Sequence, residues 1–191
     1  MLWEENSVRA CCHTGKTTGD AMKIDWTIAT TRLILTPFRP AHEDALFAMN
    51  SDPQVMRYLG PEQSRDDVRA SIARQKERWA KHGFGWWSVF LKDTDTQIGA
   101  ACLQHLAHDE ANPLEIGWRL MPQFHGKGYA TEAGQAAMDF GFGAAGQDYI
   151  CAVADVPNEA SQNVMKRLGM RYVGVREYYD QDCAYFETCK T

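Results

Sequence analysis

The stretch His125-Gly126-Lys127-Gly128-Tyr129-Ala130-Thr131-Glu132 constrains what this chain can fold into more than any other. A strand-like apolar run, residues 114–120, leads into it, and an apolar-periodic, helix-like run, residues 133–142, follows. The local order is therefore strand, glycine turn, helix. Two glycines at alternate positions let main chain approach a ligand closely, because no Cβ intervenes. The helix opening there offers its unpaired N–H groups, and roughly half a positive charge, to whatever sits in the turn. An anion is implied, above all a phosphate or pyrophosphate. The dinucleotide fingerprint G-x-G-x-x-G is not met, since Thr131 stands at its third glycine.

A chain of 191 residues suits one domain with a substantial core. Its net charge of −5 argues against nucleic acid as a partner, because such binding rests on neutralising phosphates. The longest apolar runs fall short of the roughly 18–20 residues of a membrane span. The six cysteines show neither C-x-x-C spacing nor a Cys/His cluster at zinc spacing. They read as thiols of a reducing cytoplasm, with no metal expected.

Residues 1–21 are polar, mixed in charge and without periodicity. They lack the apolar core of a signal peptide. Gly15-Lys16-Thr17-Thr18 has the ending of a phosphate-binding P-loop, but Ala10 stands where that motif needs a glycine. The expectation is a tail over 1–21, or a natural start at Met22, and one domain over 22–191.

Alternation predicts strands over 31–38, 86–91, 97–106, 113–120, 149–154, 171–178 and 184–188. Helical periodicity predicts helices over 40–50, after Ser64, over 131–145, and from Asn158 to a stop at Gly169. Ser64 and Asp67 form a capping-box pattern, and Val68, Ile72, Gln75 and Trp79 make the inward stripe behind it. The result is an α/β (α+β) domain, with helices packed on a mixed sheet.

Four local patterns, in order, carry a family resemblance. They are Thr31-Arg32-Leu33-Ile34-Leu35, then Glu115-Ile116-Gly117-Trp118, then residues 126–132, and then Asn158-Glu159-Ala160-Ser161 ahead of Leu168-Gly169-Met170. Together they resemble the GNAT superfamily of N-acetyltransferases, and within it the RimJ/RimL-like branch. The resemblance implies a mostly antiparallel mixed sheet of about seven strands with about four helices, the fourth and fifth strands splayed apart. It implies acetyl-CoA as co-substrate and direct transfer to a primary amine, either a protein N-terminus or a small molecule. Homodimers occur in the family.

On that resemblance, the amides of Gly126, Gly128, Ala130 and Thr131 hold the pyrophosphate, with His125, Lys127 and Tyr129 completing the turn. The N–H near Leu120 faces the thioester carbonyl, and Asn158 meets the pantetheine arm or caps its helix. Glu115 is the first candidate for the base, with His105, His108 and a water relay as rivals. Ser161 is the candidate donor to the thiolate, because Met165 stands where relatives carry a tyrosine acid. Asp109 and Glu110, after the third strand, would suit a cationic acceptor. Trp86, Trp87 and Trp118 read as core or cleft wall. Histidine at position 125 departs from the usual Q/R lead. The competing readings are a catalytically weak acyl-CoA-binding module and a phosphate-binding signalling domain.

Overall fold

A computed structural model of the chain describes residues 26–190. The tail over 1–21, its P-loop-like fragment, and Cys11 and Cys12 lie outside the described residues. Eight strands form one sheet: β1 (Ile28–Ala29), β2 (Leu33–Pro37), β3 (Trp86–Leu91), β4 (Gln97–His105), β5 (Leu114–Leu120), β6 (Tyr149–Asp155), β7 (Arg171–Tyr178) and β8 (Gln181–Cys189). Their order is β1-β2-β3-β4-β5-β6-β8-β7. Every neighbouring pair is antiparallel except β5 and β6. Around the sheet lie α1 (Glu43–Asn50), α2 (Pro53–Met56), α3 (Arg65–His82), α4 (Tyr129–Phe142) and α5 (Glu159–Arg167).

Burial follows the sequence pattern. Strand β4 is buried without a break from Ile98 to Gln104, as a strand covered on both faces must be. On one face Leu103, Ile116 and Ile150 pack with Ala133 and Ala137 of α4 and Met165 of α5. On the other, Ala100 packs with Leu46, Met49, Val68 and Ile72 of α1 and α3. Gly141 lets α4 settle onto the sheet, since a Cβ there would lie 2.4 Å from Ile150 Cδ1. The α3 cap is reciprocal: Asp67 N–H donates to Ser64 Oγ (3.2 Å) and Ser64 N–H donates to Asp67 Oδ2 (2.9 Å). Its buried stripe is Val68, Ile72, Gln75 and Trp79, as the spacing predicts.

The structure differs from the sequence expectation in several places, three of them with a clear local reason. Asp52-Pro53 does not simply break the chain. Asp52 Oδ1 accepts from Gln54 N–H at 2.8 Å and Pro53 takes the first helical position, so a short α2 forms. Helix α4 starts at Tyr129, before the expected Thr131, because Gly128 caps it in a left-handed conformation with no side chain involved. The final hairpin turns on Tyr179 and Asp180, both left-handed (φ 57° and 59°). A two-residue turn of that kind normally takes Asn-Gly, so the sequence gives no signal and β8 is longer than expected. Strand β8 lies between β6 and β7 and pairs with both. Among the described residues, no helix is long and apolar enough to cross a membrane, and no His/Cys/Asp/Glu group is arranged to hold a metal.

Candidate active site

The parallel β5–β6 ladder has a single register pair, Glu115↔Cys151, near the start of both strands. Beyond it the strands part, and the opening continues into a cleft of about 820 Å³. That size falls in the usual range for a small-molecule site. The cleft is lined by the C-terminal end of β5, the glycine turn, the start of α5, and residues 54, 55 and 57–59 in and after α2. Leu120, His125, Gly126, Gly128, Tyr129, Ala130, Thr131, Asn158 and Ser161 all line it. Lys127 and Glu115 are not among its lining residues.

Gly126 and Gly128 have φ of 74° and 81°, so the turn needs glycine for its backbone conformation. Helix α4 has no side-chain cap. Its first returning bond is Glu132 N–H to the Gly128 carbonyl at 3.1 Å, so the amides of residues 129–131 have no helical acceptor. From behind, Arg32 clamps the turn. Its Nη1 donates to the Lys127 carbonyl (2.9 Å) and its Nε to Glu132 Oε2 (2.7 Å), while Thr30 Oγ1 donates to Glu132 Oε1 (2.6 Å). Burial pushes the Glu132 carboxyl up, but these donors outweigh it and hold the carboxyl below its ordinary range. Arg32 and Glu132 both lie within the patterns that carry the resemblance, yet sequence reasoning assigned them no role. Lys127 Nζ sits over the Phe124 ring, 5.5 Å from its centre.

Met121 N–H donates to Ile98 O across β4 at 3.0 Å. Alternation along the strand turns the N–H and C=O of Leu120 the other way, toward β6, where the ladder has lapsed. The Leu120 carbonyl is engaged by His125 Nε2 at 2.9 Å. A carbonyl can only accept, so His125 carries its proton on Nε2. On the opposite wall Asn158 Oδ1 accepts from Ser161 N–H at 3.1 Å, so Asn158 caps α5 and faces the cleft at once. Met165 is fully buried in the core.

At the closed end of the gap, Glu115 is buried at 5% exposure. Gln104 Nε2 donates to its Oε1 at 2.8 Å, and the Tyr179 hydroxyl donates to the same oxygen. Gln104 is itself fixed by Arg78 Nη1 (2.8 Å) and Trp86 Nε1 (2.9 Å), both donating to its Oε1. Burial pushes the Glu115 carboxyl up to about 7, against the lowering effect of the Gln104 and Tyr179 hydrogen bonds. Ala107 N–H donates to the Tyr179 hydroxyl at 3.0 Å. Ala107, His108, Tyr179 and Asp180 all have positive φ. Left-handed residues other than glycine cost roughly 1–2 kcal/mol each, so two strained loops converge on one carboxylate. Tyr179 is not legible in the sequence. Its signal is a contact across 64 positions, which no local pattern encodes.

Residues 32–171 match the Acetyltransferase (GNAT) domain family. The chain belongs to the GNAT acetyltransferase family. It is 33% identical over 149 residues to the uncharacterized N-acetyltransferase YnaD of Bacillus subtilis (strain 168), covering 77% of this chain and 84% of the relative. It is 28% identical over 167 residues to the FsC-acetyl coenzyme A-N(2)-transacetylase of Aspergillus fumigatus, covering 80% of this chain and 68% of that one. A GNAT-family acetyltransferase structure from Bacillus anthracis superposes with a TM-score of 0.73 at 25% identity, over 85% of this chain and 98% of that chain. The RimL protein acetyltransferase in complex with coenzyme A shares the fold, with a TM-score of 0.70 at 17% identity over 84% and 95% of the two chains.

As a GNAT member the protein is an acetyl-CoA-dependent acyltransferase. The glycine turn fits that co-substrate: its residues 126 and 128–131 line a cleft that no Asp or Glu lines. The acidic residues expected near a cationic acceptor are elsewhere. Glu110 is paired with Lys81, Asp109 Oδ1 accepts from Ala111 N–H, and neither lines the cleft. Of the histidines weighed as bases, His105 Nδ1 meets the Asn112 carbonyl at 3.0 Å. His108 packs edge-on against Tyr179, and burial, then Arg78 and Arg74, lowers its pKa. Neither lines the cleft. Trp87 is core, Trp118 is cleft wall, and Trp86 lies under the Arg119 guanidinium.

Proposed function

We propose that this GNAT enzyme transfers the acetyl group of acetyl-CoA directly to a primary amine. The carrying observation is the turn over residues 126–131: left-handed glycines and acceptor-free helix amides, open to the cleft where β5 and β6 part. Acetyl-CoA brings an activated thioester carbonyl. The amides of Gly126, Gly128, Ala130 and Thr131 hold its diphosphate, and the α4 dipole adds favourable field. His125 acts through its hydrogen bond, tying the turn to β5, while Lys127 contributes its carbonyl to the Arg32 clamp. The Leu120 N–H donates to the thioester carbonyl oxygen.

Glu115 takes the proton of the attacking amine. Its carboxyl, pushed up to about 7, suits a base at neutral pH, and because it does not line the cleft a water carries that proton. Ser161 donates to the departing thiolate, and Asn158 orients the arm of the co-substrate. A thiolate leaves without much help, since free thiols ionise near pH 8.5, so Met165 in place of an acid is tolerable. The reading includes a RimJ/RimL-like activity on a protein N-terminus or a small amine, a cytoplasmic location, and a homodimer.

The test is free-thiol release from acetyl-CoA with a panel of amines, with products identified by mass spectrometry. Acetyl-CoA bound tightly with no thiol released would instead mark an acyl-CoA-binding module, a reading that Glu115's position off the cleft lining favours. Tight binding of ATP in place of acetyl-CoA would overturn both.

A further inference from the structure

The cleft contains a cation that the proposed chemistry does not use. Arg119 lies on β5, one residue before Leu120. Alternation places it on the face of Glu115 and Gly117, away from α4. The neighbouring Trp118 faces α4, where a Cβ on Gly134 would lie 3.0 Å from the Trp118 ring. Arg119 thus projects to the face of α1 and α3, its guanidinium stacked over Trp86 at 4.6 Å. It lines the cleft together with Arg57 and Tyr58, on the side away from the glycine turn.

Its Nε is buried and has no hydrogen-bond partner, and among the described residues no carboxylate pairs with it. Burial lowers its pKa to about 10, which leaves it charged at neutral pH. Burying that nitrogen without a partner is costly, and the charge it belongs to has no counter-charge beside it. The cleft supplies none, since its charged lining residues other than His125 are Arg57, Arg119 and Arg167. The diphosphate of acetyl-CoA is served by the turn on the other side. That leaves the second substrate as the source of a counter-charge for Arg119.

We propose that Arg119 anchors a carboxylate carried by the acceptor, so that the acceptor is an amine bearing its own carboxylate and not a polyamine or an aminoglycoside. The inference rests on the acetyltransferase reading and narrows it. A planar guanidinium matches a carboxylate with two parallel hydrogen bonds. Stacking on Trp86 keeps that fork in one orientation.

Thiol release is measured with each common amino acid, with its carboxyl amide, with peptides beginning in Asp or Glu, and with spermidine. Acids should exceed their amides in kcat/KM by about 10- to 100-fold, the range of a charge-assisted hydrogen bond. Free amino acids ahead of the peptides would mean an α-carboxylate is read; the reverse order would mean a side-chain carboxylate. Arg119→Gln should collapse the acid-to-amide ratio to about one through KM, leaving acetyl-CoA affinity by calorimetry unchanged. Arg119→Lys should retain part of the ratio, which separates loss of the charge from loss of folding. Titration of the same acids onto the CoA-bound protein gives a readout independent of turnover.

Acids and amides used and bound alike would overturn the inference and leave the transferase reading intact, as would an Arg119→Gln variant whose main loss is acetyl-CoA affinity. Failure to bind acetyl-CoA at all would overturn both.

Discussion

The two ends of the gap between β5 and β6 are built from different materials. The glycine turn is main chain: left-handed glycines, a helix start without a side-chain cap, and a strand end tied back by His125. The Glu115 end is side chain: one buried carboxylate held by Gln104 and Tyr179, with Arg78, Trp86 and Ala107 behind them. A site made of amides tolerates many side-chain changes but few changes of backbone conformation. A site made of a buried acid is the reverse: its backbone can shift a little, but its titrating group cannot be exchanged. Substitutions that separate binding from rate test this contrast directly.

The largest effect is expected from Glu115→Gln. The amide can still accept from Gln104 and Tyr179 but cannot take a proton. The expected result is a fall in kcat of about 10²- to 10⁴-fold, the usual worth of a general base, with acetyl-CoA affinity unchanged. In the native enzyme the rate should rise with pH through about 7 as Glu115 ionises, and the variant's profile should be flat there.

Stability gives a second reading of the same group. The folded carboxyl titrates near 7 and the unfolded one near its ordinary 4.5, so the native state binds the extra proton between these values. Stability therefore falls as pH rises from about 4.5 to about 7, by at most on the order of 3 kcal/mol. Glu115→Gln should lose that slope, so the variant's melting temperature should gain on the native one between pH 5 and pH 8. A native rate profile with no inflection near 7 would move the base elsewhere.

Next in size is Gly128→Val. A β-branched residue at φ 81° is strongly disfavoured, and its Cβ would also crowd Arg32 Nη2 at 3.4 Å. Acetyl-CoA affinity should fall about 100-fold by calorimetry, whereas Lys127→Ala, at a position that does not line the cleft, should change it less than about threefold. Equal losses for the two would mean that side-chain charge does the holding, and the contrast between the two ends would fail.

The same contrast explains what was legible in the sequence. The turn, its two glycines and the strand and helix beside it are consecutive residues, so local pattern recovers them. Asn158 and Ser161 are readable for the same reason, as a helix cap and its third position. The capping box at Ser64 and Asp67 also forms as the spacing implies. At the other end, Glu115 stands out as a lone acid in an apolar strand, but Gln104 lies 11 positions away and Tyr179 lies 64 away. Tyr179 reaches it through a hairpin whose turn residues carry no turn signature. Asp109 and Glu110 do not line the cleft: sequence shows which charges a loop carries and not which way they face. Arg119 does not stand out in the sequence, because a charge in a strand is commonplace unless that strand borders a cleft.

Tyr179→Phe should have an intermediate effect. Its hydroxyl donates to Glu115 and so favours the ionised carboxylate; removing it should raise the Glu115 pKa further. The rate profile's inflection should then move to higher pH, with a loss of about tenfold at pH 7 and less at pH 9. A uniform loss at every pH would make Tyr179 a packing residue alone.

The smallest effect is expected at the position that departs most visibly from the family pattern. The lead residue of the loop is commonly glutamine or arginine, and here it is His125. The three share a nitrogen donor, and in this structure that donor is spent on the Leu120 carbonyl. If the donor is the property that counts, His125→Gln should bind acetyl-CoA within about twofold of the native protein. His125→Ala should weaken binding by about three- to tenfold, the worth of one neutral hydrogen bond. A large loss in His125→Gln, matching that in His125→Ala, would mean that the imidazole itself is needed. The turn would then be a side-chain site like the Glu115 end, not a main-chain cradle with one interchangeable tether.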